Sequence, residues 1–238
     1  MQTRIGTLNF VDGVPTAETT QKVYDNLDFL RGVEVFLNFI PAASIESMRR
    51  GMIEAGATRS NQAVIFDNLM DSNPLFLTGN TDTVYCLFML DLETDGPTVV
   101  EVPAGSGPGT VNDAFFRFVV DMGGPGPDKG QGGKYLIVPA GYKGALPESG
   151  YFIAHSPSHV NWLILRGFLI DGKPDTSSRT FRNGVMTCGA LWNRCGPSPA
   201  NPTRQRQPDV PATGLRLPGG ADTHRDAAIG DDRQLGSP

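Results

Sequence analysis

An α+β fold is expected, with an N-terminal helix pair, a mostly antiparallel, β-sandwich-like body, and a disordered C-terminal tail. Three observations predict it. Residues 16–39 place Val23, Leu27 and Leu30, with Val33, Phe36 and Leu37 on neighbouring rows, at the three- and four-residue spacings of a helix stripe. From about residue 62 the texture changes to short runs rich in Val, Ile, Phe and Tyr, separated by Gly, Pro, Asn and Asp clusters. From Arg194 to Pro238 there are seven prolines, six glycines and six arginines, with no lysine and no aromatic residue. The chain therefore divides into a helical opening over 1–60, a β-rich body of the same domain over 61–190, and a tail over 191–238.

The first helix carries Asp25, Asp28, Arg31 and Glu34 on its other faces, and Pro41 is expected to stop it. Proline suits a first helical turn, so a second helix is read over 41–55, with Ile45, Met48 and Met52 as its stripe and Gly56 as its stop. Strands are expected over 63–66, 75–77, 83–92, 98–102, 114–121, 134–138, 150–155 and 160–169. Turn chemistry separates several of them, as at Asp95-Gly96-Pro97, Pro139-Ala140-Gly141 and Asp171-Gly172-Lys173-Pro174. Strands that follow one another without helices between them pair antiparallel. In the run over 114–121, alternation is expected to aim one aromatic and aliphatic face inward. A last helix is read from Thr176 to about Gly184. The tail's composition cannot offset ordering entropy, so it is expected to be disordered. It reads either as a natural arm or as the product of an out-of-frame GC-rich gene, and the sudden loss of lysine and aromatics favours the second.

The 238 residues include 39% hydrophobic and 19% charged, enough apolar material for a core. A net charge of -5 argues against a nucleic-acid or anionic-membrane surface. Cys86, Cys188 and Cys195 form no C-x-x-C pair, so neither a disulfide framework nor a cysteine zinc site is indicated. Cys86 lies in an apolar run and reads as a small buried hydrophobe. The N-terminus lacks a basic start and an apolar signal segment, and no apolar stretch approaches the ~18–20 residues that cross a bilayer. As written, the chain reads as soluble and cytoplasmic.

Five ordered segments carry a family resemblance. They are the helix piece over 24–31, Gly79-Asn80-Thr81-Asp82-Thr83-Val84-Tyr85, the aromatic stretch over 113–123, the glycine-rich stretch over 124–136, and Gly150-Tyr151-Phe152 with Asn161-Trp162. Together they resemble the domain-of-unknown-function family numbered 1254. The resemblance implies a helical opening joined to a β-sandwich-like body. It also implies a following β-rich domain of the unknown-function family 1214 and, in many members, an export signal. The chain departs from the pattern after Phe181-Arg182-Asn183-Gly184, which supports the truncated or frame-shifted reading.

The Asn80-Thr81-Asp82-Thr83 segment opens a strand. Its Asn and Asp either tie up a turn, the commoner use, or bind a ligand hydroxyl or hard cation. Thr81, Thr83 and Tyr85 share one strand face and, with Asn80 and Trp162, form a candidate contact strip for a small polar ligand. Lys129 and Lys134 stand in the glycine-rich loop and could cradle an anion. No Walker sequence is present, and a wide, mobile loop, a possible lid, is the better reading. His155 and His159 have a metal-pair spacing, but Pro157 breaks regular geometry and no third ligand is placed, so no metal site is assigned. Arg117 with Asp113 or Asp121 reads as an ion pair before a substrate clamp. Two functions follow: a module binding a small polar ligand, and a hydrolase- or lyase-type enzyme with Asp82 or His155 as acid, base or ligand. The sequence names no cofactor and no oligomeric state.

Overall fold

A computed structural model describes residues 1–71 and 79–188. The strand expected over 75–77 and the tail over 191–238 lie outside the described residues. The chain opens with two short hairpins, β1 (Gln2–Thr3) with β2 (Gly6–Thr7) and β3 (Phe10–Val11) with β4 (Val14–Pro15). Helix α1 (Ala17–Glu54) follows, its first turn capped by the Thr16 hydroxyl accepting from the Thr19 amide at 3.2 Å.

The expected helix pair is one helix instead: α1 runs through Pro41 without a break. An internal proline removes one helical hydrogen bond and costs about 3 kcal/mol, but packing holds the chain on both sides of it. Before it, Phe39 meets Phe115 edge to face with centroids 5.3 Å apart. After it, Ile45, Met48 and Met52 pack against the β body. The helix ends close to its predicted stop, and Gly56 takes φ 102° there, a value that favours glycine. Ahead of Pro41 the apolar stripe is exposed, with Phe29 and Phe36 both about two-thirds accessible.

The body contains β5 (Val64–Ile65), β6 (Thr83–Asp91), β7 (Thr98–Val102), β8 (Gly109–Asp113), β9 (Phe118–Met122), β10 (Gly133–Val138), β11 (Phe152–His155), β12 (Val160–Phe168) and β13 (Met186–Cys188), with short helix α2 (Leu92–Asp95) and α3 (Asp175–Gly184). They form a five-stranded sheet ordered β5-β6-β12-β8-β9 and a four-stranded sheet ordered β11-β10-β7-β13. Every pairing in them is antiparallel except β10 with β11, so the mostly antiparallel expectation is met.

Alternation along β6 and β12 gives the five-stranded sheet two buried faces. Val84, Cys86, Phe88 and Leu90 of β6, with Leu163 and Leu165 of β12, join Val100, Val102, Tyr135 and Ile137 of the other sheet in one cluster. This burial removes Cys86 from chemistry, because desolvation pushes its thiol pKa far up. Tyr85, Leu87 and Met89, with Trp162 and Ile164, point to the opposite face, where the C-terminal part of α1 covers them. That second face carries the candidate site.

Two sequence expectations are corrected in the body. Of the single strand read over 114–121, residues 118–121 belong to β9, whereas 114–117 form a turn between β8 and β9. Asp113, fully buried, makes the turn: its Oδ1 accepts from the Phe115 and Arg117 amides at 2.8 Å each, and its Oδ2 from Arg117 Nε at 2.6 Å. The expected ion pair is therefore Arg117 with Asp113. The register shift forced by this turn leaves Phe118 at 66% exposure rather than on an inward face. The glycine-rich loop is also packed, not a wide and mobile lid. Buried Asp128 accepts from the Tyr135 hydroxyl and, at 3.1 Å, from the Gly132 amide. Gly132 takes φ 78°, and a Cβ there would lie 2.7 Å from the Val102 carbonyl oxygen, so only glycine fits.

Asp67 ties the segment after β5 to α3, accepting from Arg182 and Ser178. Burial opposes ionisation of Asp67, but these hydrogen bonds and the Arg182 charge outweigh it and hold the carboxyl below its ordinary range. A carboxyl with a depressed folded pKa stabilises above its unfolded value, and that stability is lost as pH falls through the folded value. Asp67→Asn is thus expected to be less stable than the parent at pH 7, by a difference that begins to shrink as pH falls below about 4. Urea unfolding across pH 3–7 measures this; a constant difference at every pH would contradict it.

Candidate functional site

The second face of the five-stranded sheet holds a cleft of about 100 Å³ lined by Met70, Gly79, Tyr85, Leu87, Thr110, Asn112, Phe116, Trp162, Ile164 and Arg166. Strand register builds its floor. On β12, Trp162, Ile164 and Arg166 lie two apart and face the cleft. Across from them stand Asn112 with Trp162, Thr110 with Ile164, Leu87 with Ile164, and Tyr85 with Arg166. The floor has a polar pair at each end and an aliphatic middle.

At one end two buried polar atoms have no partner. Asn112, 8% exposed, donates its Nδ2 to the Phe116 carbonyl oxygen at 3.2 Å, which fixes the amide and leaves Oδ1 without a donor. Trp162, 7% exposed, has no acceptor for its Nε1–H. Leaving such groups buried costs about 1–3 kcal/mol each. Phe116 stacks on Trp162 with centroids 5.4 Å apart, held there by the Asp113 turn at a left-handed φ of 61°. At the other end the half-buried Arg166 guanidinium lies over the Tyr85 ring, 5.7 Å from its centroid, without a carboxylate partner among the described residues. The Tyr85 hydroxyl accepts from the Asn80 amide at 2.9 Å.

Tyr85 and Trp162 are thus the sequence candidates that line this cleft. Asn80 organises the turn beside it: its Oδ1 accepts from the Asp82 and Thr83 amides at 3.0 Å each and from the Thr83 hydroxyl at 2.8 Å. Thr81 and Asp82 are exposed on that turn, outside the lining. Lys129 is exposed in the glycine-rich loop, and Lys134 lies 3.9 Å from Glu101 of the four-stranded sheet. His155 is exposed on β11, and His159 sits 3.8 Å from Glu93. Among the described residues no group of three or more His, Cys, Asp or Glu could hold a metal ion. Sequence reasoning missed Thr110, Asn112, Phe116 and Arg166. Counting by two from Trp162 reaches Arg166, but no sequence signal pairs β8 with β12.

A larger cavity of about 240 Å³ lies beside the end of α1. Several of its polar groups are engaged: Arg49 by Glu46, Asp91 in capping α2, Ser60 by Asp95, and Gln62 by the Arg59 amide. Arg49 and Arg50 also hold the Glu46 carboxyl down at about 2. A third buried atom without a partner, Asn61 Oδ1, lines neither cavity.

The architecture is that of an α+β domain with two packed sheets and a small apolar cleft with polar ends. Residues 60–187 match the family described as protein of unknown function (DUF1254), and the chain belongs to that family. Four of the five resembling segments fall within the match; the helix piece over 24–31 precedes it. No curated protein matches the chain. Among solved structures, the crystal structure of the VPA0106 protein from Vibrio parahaemolyticus is similar at 15% identity and a TM-score of 0.50, a likeness of fold. The match covers 73% of this chain and 40% of that one, so this chain spans well under half of its structural relative's length. No helix among the described residues is long and apolar enough to cross a membrane.

Proposed function

We propose that the β-sandwich-like body over 61–188 is a binding module for a small polar molecule, taken up in the cleft between Trp162 and Arg166. One observation carries this reading: Asn112 and Trp162, each more than nine-tenths buried, both line the cleft, and an acceptor of one, Oδ1, and a donor of the other, Nε1–H, lack partners. Native proteins satisfy such groups with protein, ligand or water. A single hydroxyl accepts from Trp162 and donates to Asn112, serving both at once. The acid–base residues considered from sequence, Asp82 and His155, are outside this lining, which among the described residues contains no carboxylate and no histidine. The geometry therefore favours binding over the hydrolase or lyase reading.

Asn112→Leu separates a ligand-serving group from a structural one. It removes an orphaned acceptor together with one bond to Phe116, and apolar replacement of a poorly satisfied polar group is close to neutral. Stability is expected to stay within about 1 kcal/mol of the parent, or to rise, while uptake of 1,4-butanediol falls. Urea unfolding and saturation-transfer NMR with 1,4-butanediol measure the two effects. Equal uptake by the parent and Asn112→Leu, or none by either, would overturn the reading.

A further inference from the structure

The cleft is asymmetric, and the asymmetry specifies its ligand further than polarity alone. At the Arg166 end a permanent cation is half-buried and held over an aromatic ring, with no carboxylate of the described chain to neutralise it. At the other end the orphaned groups are neutral, one donor and one acceptor. Between them Ile164 and Leu87 present only hydrocarbon, with the Thr110 hydroxyl at the side. Trp162 and Arg166 are four residues apart on one strand, so their backbones are separated by roughly 14 Å at about 3.4 Å per residue, and their long side chains narrow that span.

We propose that the cleft selects a small carboxylic acid carrying a hydroxyl at its far end, an ω-hydroxy acid or a molecule presenting that pattern. This deepens the binding reading and rests on it. The carboxylate accepts from the Arg166 guanidinium, a charge-assisted hydrogen bond. The methylene body lies over Ile164 and Leu87. The terminal hydroxyl accepts from Trp162 Nε1–H and donates to Asn112 Oδ1. Arginine's fork suits a planar carboxylate with two acceptor oxygens, whereas a neutral amide offers one acceptor, forms no ion pair, and would turn its N–H groups toward a donor-only side chain.

The experiment compares the ω-hydroxy acids from 4-hydroxybutanoate to 6-hydroxyhexanoate with their primary amides and with 1,4-butanediol. Dissociation constants are measured by NMR titration at pH 7, where the acids are ionised, on the whole chain and on two variants. The best acid is expected to bind the parent about tenfold or more tightly than its amide. Arg166→Met, which keeps much of the apolar stem, is expected to erase that preference while diol binding persists. Arg166→Lys, which keeps the charge, is expected to retain part of it. Acids no better than amides, or a preference that survives Arg166→Met, would overturn the carboxylate assignment alone, provided the diol still binds. Failure of every compound, the diol included, would overturn the binding reading with it.

Discussion

Leu163→Ala is expected to destabilise the protein by about 3–5 kcal/mol, the range for truncating a leucine where the site cannot collapse. Leu163 is fully buried at the middle of β12, opposite Phe88 on one side and Val111 on the other, within the cluster that both sheets share. Both neighbouring strands are fixed by backbone hydrogen bonds, so relaxation into the void is small. For a chain of this size each kcal/mol moves Tm by about 2–4 °C, giving a fall of roughly 6–20 °C. Calorimetry and urea unfolding measure it. A loss under 1 kcal/mol would mean that the two sheets do not share the tight core described. The adjacent strand positions Trp162 and Ile164 face the cleft, so one residue's step along β12 separates the fold's interior from the site.

The second large effect falls on the β8–β9 turn. Asp113→Ala removes an acceptor for two backbone amides and one guanidinium N–H, and is expected to cost about 2–4 kcal/mol. The Arg117 side chain is 63% exposed, so the ion pair itself contributes little, and the amide bonds dominate. Asp113→Asn keeps the oxygen that serves both amides and should therefore recover most of the loss. The turn also holds Phe116 over Trp162, so Asp113→Ala is expected to alter Trp162 fluorescence in the folded state, while Asp113→Asn leaves it close to the parent. Equal losses in both variants would instead assign the effect to charge.

Local signals made much of the fold readable. Short apolar runs located β6 and β12 within a residue or two, and Gly56 marked the C-terminal end of the long helix. What escaped depended on contacts distant in sequence. Proline chemistry predicted a break at residue 41, and packing of Phe39 on one side and Ile45 on the other overrode it. The stretch over 114–121 read as one strand because it is aromatic and alternating; its second half is β9, while one buried carboxylate at Asp113 bends 114–117 into a turn. Glycines among lysines suggested a mobile loop, yet Asp128 and Tyr135 anchor it from beneath.

The candidate site divides along the same line. Tyr85 and Trp162 stand out by residue type beside recognisable segments. The Asn80 segment reads as a turn before a ligand contact, and its hydrogen bonds go to the segment itself, to the Asp82 and Thr83 amides and the Thr83 hydroxyl. Asn112 carries no signal of its own. It matters only because the register sets it against Trp162 and its amide nitrogen is committed to Phe116. Arg166 becomes informative once its neighbours show no carboxylate for it.

The most direct test of the central claim is the indole N–H resonance of Trp162, assigned by its disappearance in Trp162→Phe and followed by two-dimensional NMR as 1,4-butanediol or 6-hydroxyhexanoate is added. A saturable shift of that resonance, absent in Asn112→Leu, is the predicted result, because one ligand hydroxyl would accept from Trp162 and donate to Asn112. A resonance that does not move, or that moves equally with and without the Asn112 side chain, would contradict the cleft's role as a binding site.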